Sequence, residues 1–330
     1  MKKLLLVAAA CVALASCVKN EVIPEPADKR PISYQTLVKP ETTRAAEAYN
    51  GADFKASALK VAEGATWPTT TGVYFDGVTV KDDVEDHVGL WTTATAYYWP
   101  MSGGLVFYAH SPATVVAETL ADPWTYTFTN YSMDNNVDFM VAEIEKGADS
   151  KGLKANKVPV EFGHKLTKVA VKIGVEEIIG GATYKLKSIA FNNLGDAATF
   201  TKTAAGVEAW SAPANFNKNY TIFTGNLSVT ADFSDGDDPQ DVTITKEFYL
   251  PHTLNANAAM VVTYNVAEPG LGNKDYTKTV KFSEIHSGTA VWLKNNLVTY
   301  TLTIGAKERI IWDTPTIPTG WTEVGYPVAI

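Results

Sequence analysis

The chain has 330 residues, 46% hydrophobic, 11% aromatic and 19% charged, which is too apolar for a disordered chain and too long for one small core. A formal net charge of -8 argues against the cationic surface that holds nucleic acid or anionic lipid. Beyond the first twenty residues no run approaches the ~18 apolar residues of a spanning helix. Recurrent alternation of apolar and polar residues, rich in threonine and tyrosine, predicts strands.

Residues 1–16 carry Lys2 and Lys3, an apolar run from Leu4 to Ala15, and small residues ahead of Cys17. That is the layout of a secretion signal. Leu14-Ala15-Ser16-Cys17 resembles the bacterial lipobox, in which the cysteine is acylated and becomes the new N-terminus. An ordinary signal peptide that happens to hold a cysteine is the alternative. Cys11 and Cys17 are the only cysteines, so the mature chain is expected to have no disulfide and no free thiol. Multiple acyl chains would hold it stably where one would not, at a Gram-negative outer membrane. Residues 17–31, with three prolines and alternating charge, read as an extended tether.

The first strand follows. Ile32, Tyr34, Thr36 and Val38 alternate with Ser33, Gln35, Leu37 and Lys39 and stop at Pro40. The polar stretch from Glu41 to Ala46, holding Arg44 and Ala45, is of the exposed kind that proteases cut. Helical periodicity is weak along the chain apart from short stretches such as 51–63. Strands are expected at 72–75, 96–99, 105–110, 124–128 and 139–144, separated by turns such as Ser102-Gly103-Gly104 and Asp134-Asn135-Asn136. The polar, Gly/Lys-rich stretch 145–157 is the expected interdomain link, placing an N-terminal domain at 32–155 and a C-terminal one at 156–330.

In the second half, strands are expected at 158–162, 169–173, 184–191, 242–250, 260–266, 277–282 and 298–304. The apolar series Phe162, His164, Leu166 changes parity to Val169, Val171, Ile173, so a bulge or bend is expected near Thr167. Val298, Tyr300, Leu302 and Ile304 alternate with three threonines, the pattern of a half-buried strand. The fold class is all-β, two β-sandwich domains in series. At the C-terminus Val324, Tyr326, Val328 and Ile330 alternate again, around a Pro327 that an edge strand tolerates.

Catalytic motifs are missing: there is no Gly-x-Ser-x-Gly elbow, phosphate-cradling loop or His-Glu-x-x-His pair. His87, His110, His164, His252 and His286 are isolated, which favours packing roles over metal ligation. The acidic run from Asp232 to Asp241 lacks EF-hand spacing and reads as a solvated loop, with calcium the alternative. Trp91, Tyr97, Tyr98 and Trp99 are either core or a sugar-stacking platform.

Three segments are similar to the fimbrillins of type V pili, in particular the Mfa-like fimbrillin family. They are Tyr98–Pro112 (YWPMSGGLVFYAHSP), Val158–Ile173 (VPVEFGHKLTKVAVKI) and Val291–Tyr300 running into Ile304. The resemblance implies two transthyretin-like β-sandwich domains, no cofactor and no catalysis. It also implies export as an outer-membrane lipoprotein through Cys17, and cleavage by an arginine-specific protease. Of the three arginines, Arg44 best matches the cleavage position, with Ala45 as the new N-terminus. Arg30 precedes the first strand and Arg309 lies in the C-terminal region. The cut would release the strand Ile32, Tyr34, Thr36, Val38 and leave a groove for a strand of another pilus subunit. Residues 322–330, with Val324, Tyr326, Val328 and Ile330 inward, and with 310–312 as an extension, are the expected donor. A tip subunit needs no donor strand, so this alternation favours a polymerising one. The expected location is the cell surface and then the fimbrium, with a host or bacterial surface ligand as further partner. The competing reading is a surface lipoprotein that binds glycans through its aromatic cluster.

Overall fold

The computed structural model describes residues 31–38, 47–49, 53–65, 72–82, 91–100, 102–115, 118–121, 125–134, 136–143, 157–286, 291–305 and 310–313. The chain is all-β as expected, with one short α-helix among the described residues, α1 (Phe282–Ile285). The first unit is an eight-stranded sheet. It contains β1 (Tyr34–Val38), β2 (Glu47–Ala48), β3 (Phe54–Val61), β4 (Gly72–Asp82), β5 (Trp91–Thr93), β6 (Gly104–Ser111), β9 (Met140–Glu143) and β10 (Val158–His164). Their order is β10-β9-β6-β3-β4-β5-β1-β2, and β10 also pairs with β1, so the sheet closes on itself through its first strand.

Alternation along these strands fills the closed barrel. Phe54, Ala56 and Ala58 of β3, Leu105, Phe107 and Ala109 of β6, and Val158, Val160 and Phe162 of β10 share one core. Leu59, Val61, Val106 and Tyr108 face the other way, into a second and larger core. Apolar residues on both faces of β3 erase the period of two, so 51–63 imitates a helix in sequence while 54–61 is a central strand.

That outer face is covered by a four-stranded sheet, β14-β13-β8-β7, made of β7 (Glu118–Ala121), β8 (Thr125–Ser132), β13 (Ala197–Lys202) and β14 (Glu208–Trp210). Two of its strands come from the second half of the sequence, so the halves are interlocked. The remaining strands form a sandwich. One sheet holds β11 (Thr167–Val175), β16 (Gln240–Val242), β17 (Phe248–Tyr249), β20 (Leu297–Ile304) and β21 (Ile310–Asp313). The other holds β12 (Thr183–Leu194), β15 (Lys218–Val229), β18 (Ala259–Glu268) and β19 (Gly272–Lys281). Val171 and Leu302 from one, and Leu186, Phe191 and Val262 from the other, meet in the larger core.

The parity change near Thr167 is a change of sheet. Phe162 belongs to the barrel core and Leu166, Val169 and Ile173 to the larger one, and the chain crosses between β10 and β11. The expected boundary at 155 falls outside the described residues, and the strand that follows it, β10, is paired into the first sheet. Elsewhere 242–250 is two short strands, and 96–99 is extended chain with one isolated bridge, Pro31 to Tyr98. The expected half-buried strand β20 is buried on both faces, because it is central between β11 and β21 and its Thr299, Thr301 and Thr303 are covered as well.

Candidate functional site

The sequence singled out the first strand, and β1 is the stave that closes the barrel. It runs parallel to β10, with Tyr34 opposite Val158, Thr36 opposite Val160 and Val38 opposite Phe162. On its other edge it meets β5 at Trp91 and β2 at Ala48 and Glu47, both antiparallel. The Val158 N–H donates to the Ser33 carbonyl at 2.8 Å, and the Ile32 N–H to the Tyr97 carbonyl at 2.7 Å. Ile32 and Tyr34 point inward as expected from the alternation and are buried, Tyr34 at 1% exposure, while Gln35 is exposed and Thr36 half-buried.

Tyr34 is the anchor. Its ring stands edge-on to Phe54 (5.9 Å, 89°) and Phe107 (6.0 Å, 87°). Its hydroxyl is buried with no hydrogen-bond partner among the described residues. Burial, with Tyr97 adding, pushes its pKa far above the usual tyrosine value. Neighbouring Tyr49 solves the same problem differently: its hydroxyl shares a 2.5 Å hydrogen bond with Ser111 Oγ, and burial pushes it up to about 12.

Residues 39–46 join β1 to β2, which are antiparallel neighbours. Arg44 and Ala45 lie in that segment and outside the described residues, as do Cys17, Arg309 and the C-terminal Val324, Tyr326, Val328 and Ile330. The suggested extension of the donor, 310–312, is within β21, paired antiparallel to β20 from Ile310 opposite Ile304 to Asp313 opposite Thr301.

Of the other candidates, His87 lies outside the described residues, and the rest are accounted for by packing. His164 Nδ1 lies 2.6 Å from Asp138, His110 shares a 2.6 Å hydrogen bond with Tyr126, and His286 one of 2.9 Å with Tyr300. No group of three potential metal ligands occurs among the described residues. Asp232 accepts from the N–H groups of Ser234 and Ile178, which makes the acidic run a self-capped turn. Trp91 and Trp99 are buried in the barrel core, Tyr97 packs against it, and only Tyr98 is exposed, at 43%. The cluster is therefore mostly core, with the sugar-stacking alternative left only Tyr98 as an exposed ring.

One cluster has no signal in the sequence. Glu208 of β14 meets Lys165, in the crossing between β10 and β11, at 2.9 Å, Lys202 of β13 at 2.9 Å and Lys294, ahead of β20, at 2.7 Å. The Trp210 indole N–H donates to the Lys165 carbonyl at 2.8 Å. Burial opposes the Glu208 carboxylate, but Lys165 and Lys202, with the hydrogen bond from Lys294, outweigh it and bring its pKa to about 2. Four residues spread over 130 positions become a clamp where the two cores meet. Nearby, the Lys246 ammonium donates to the Met133 carbonyl between the rings of Tyr220 and Tyr249, and burial lowers its pKa to about 8.

The described residues form a closed barrel, shut by its first strand and interlocked with a β-sandwich. The chain belongs to the fimbrillin-like family, whose model matches residues 43–321. Membership makes it a structural, non-enzymatic subunit. Its fold is similar to that of a fimbrial protein from Bacteroides vulgatus, with TM-score 0.59 and 14% identity, covering 89% of this chain and 99% of that one. It is also similar to a candidate cell adhesion protein from Bacteroides uniformis, with TM-score 0.52 and 19% identity, covering 86% and 96%. No curated protein matches the chain.

Proposed function

We propose that the protein is an adhesive fimbrial subunit exported as a lipoprotein on Cys17, cut after Arg44, and assembled by exchange of β1 for a strand of another subunit. The observation that carries this is the position of β1. Among the described residues it is the first strand of the barrel and the one that joins β10 to β5, and the segment that tethers it to β2 holds Arg44.

Removing β1 exposes the ladder edge of β10 and the barrel core around Phe54 and Phe107. Unpaired backbone groups and apolar surface are both costly in water. An incoming strand with an apolar residue at every second position restores both, with main-chain bonds supplying affinity and the side-chain pockets supplying register. Residues 322–330 carry that alternation in their sequence, with Val324, Tyr326, Val328 and Ile330 at every second position. The partners are accordingly other fimbrial subunits, an arginine-specific protease, the outer membrane through the lipid, and a surface ligand at the fimbrium. Burial of Trp91 and Trp99 favours this reading over the glycan-platform alternative.

Limited digestion with an arginine-specific protease, read by mass analysis and a gel ladder, tests the reading. A new N-terminus at Ala45 with SDS-resistant multimers is expected, both lost in Arg44→Gln. An Arg44→Gln chain that still multimerises would refute cleavage as the trigger. Metabolic labelling with a palmitate analogue should mark the protein and fail to mark Cys17→Ala.

A further inference from the structure

Resting on the strand-exchange reading above, we propose that the pocket around Tyr34 fixes the register of the incoming strand. The strand it selects is residues 324–330 of a second copy of this chain. At every second position β1 and its lead-in present Ile32, Tyr34, Thr36 and Val38, a tyrosine in second place among β-branched residues. Val324, Tyr326, Val328 and Ile330 repeat that order. The nearest other match, Val298, Tyr300, Leu302, Ile304, is already built into the larger core as β20.

Tyrosine is the residue whose misplacement costs most. The Tyr34 ring is wedged between Phe54 and Phe107 inside the barrel, so its departure opens a ring-sized space on one strand position alone. A strand slipped by two residues would put a valine there and drive the tyrosine into the place of Ile32 or Thr36. Slippage by one would turn every apolar residue outward. Direction is set as well: β1 is parallel to β10, so the incoming strand runs parallel with Tyr326 opposite Val158.

The alignment puts Pro327 in the place of Gln35. The bond from Val158 N–H to the Ser33 carbonyl sets the ladder phase, in which the N–H of residue 35 turns to the Val158 carbonyl. Proline has no such donor. The incoming strand is thus one hydrogen bond poorer than β1, so the covalently tethered β1 keeps the groove until it is cut.

Labelled peptides titrated onto the protease-cut full chain test this. A peptide of residues 31–39 serves as reference and one of residues 321–330 as the candidate. Tyr326→Ala in the candidate should weaken binding roughly tenfold or more. Exchanging positions, Tyr326→Val with Val328→Tyr, should weaken it similarly at unchanged composition. Pro327→Gln should tighten it severalfold. Equal affinity of the exchanged peptide would overturn the register assignment. If 31–39 rebinds and 321–330 does not, this proposal falls while strand exchange stands. If neither binds, both fall.

Discussion

The Tyr34 hydroxyl separates two contributions that one side chain makes to holding the barrel closed. Its ring is buried against Phe54 and Phe107, while its oxygen is buried with no partner among the described residues. Tyr34→Phe keeps the first and removes the second. An unsatisfied hydroxyl in an apolar interior costs roughly 1–3 kcal/mol, and the small void left behind returns part of that. The expected gain is about 1 kcal/mol. Tyr34→Ala deletes the ring and should cost about 3–5 kcal/mol. Hydrogen exchange at the Val158 amide, which donates to the Ser33 carbonyl, reports opening of β1 directly under native conditions. Exchange should slow about fivefold in Tyr34→Phe and quicken by about a hundredfold or more in Tyr34→Ala. A Tyr34→Phe chain whose Val158 amide exchanges as fast as the unaltered one would refute the reasoning, since the hydroxyl would then be contributing to closure.

Three further outcomes follow from the same physics. Glu208 is held at about 2 against 4.5 for an ordinary glutamate, so between these values the unfolded chain binds the extra proton. Stability should fall by up to about 3 kcal/mol as pH drops through that window, and denaturant midpoints for Glu208→Gln should show a flatter slope there and a lower value at pH 7. Lys246 gives the same sign of slope in an alkaline window: at about 8 against 10.5, the unfolded state holds more protons between those values, so stability should rise with pH across them. Lys246→Met should abolish that rise in a thermal melt series. Gly103 sits at φ +74, and a Cβ there would lie 2.2 Å from the Val61 carbonyl oxygen, so Gly103→Ala should cost well over about 1 kcal/mol by denaturant titration; a neutral result would mean the turn relaxes freely.

How much of this was legible beforehand depends on how many faces of a strand are buried. In β11, Val169, Val171 and Ile173 stand against Lys168 and Lys172, and one buried face leaves the period of two intact. The β1 alternation and the Ser102-Gly103-Gly104 turn were legible for similar local reasons. By contrast, β3 lies between two cores, and its burial on both faces removes the pattern that would mark it, whereas β6, buried just as fully, is still marked by its run of apolar residues between turn signals. The twelve-residue β15 escaped for another reason: Lys218, Tyr220 and Thr224 give it a polar, edge-strand look, broken by Gly225 and register shifts.

The sequence by itself determined the all-β class, the family and the strand with an arginine behind it, because alternation, turn residues and short motifs are local properties of the chain. Tertiary structure alone decided that this strand closes a barrel in parallel with β10, and that a hairpin of the second half covers the first. It also decided that Glu208 gathers three lysines where the two cores meet. Each of these joins segments far apart in sequence, and pairing across such distances is set by which apolar faces must share a core, information that no local pattern carries.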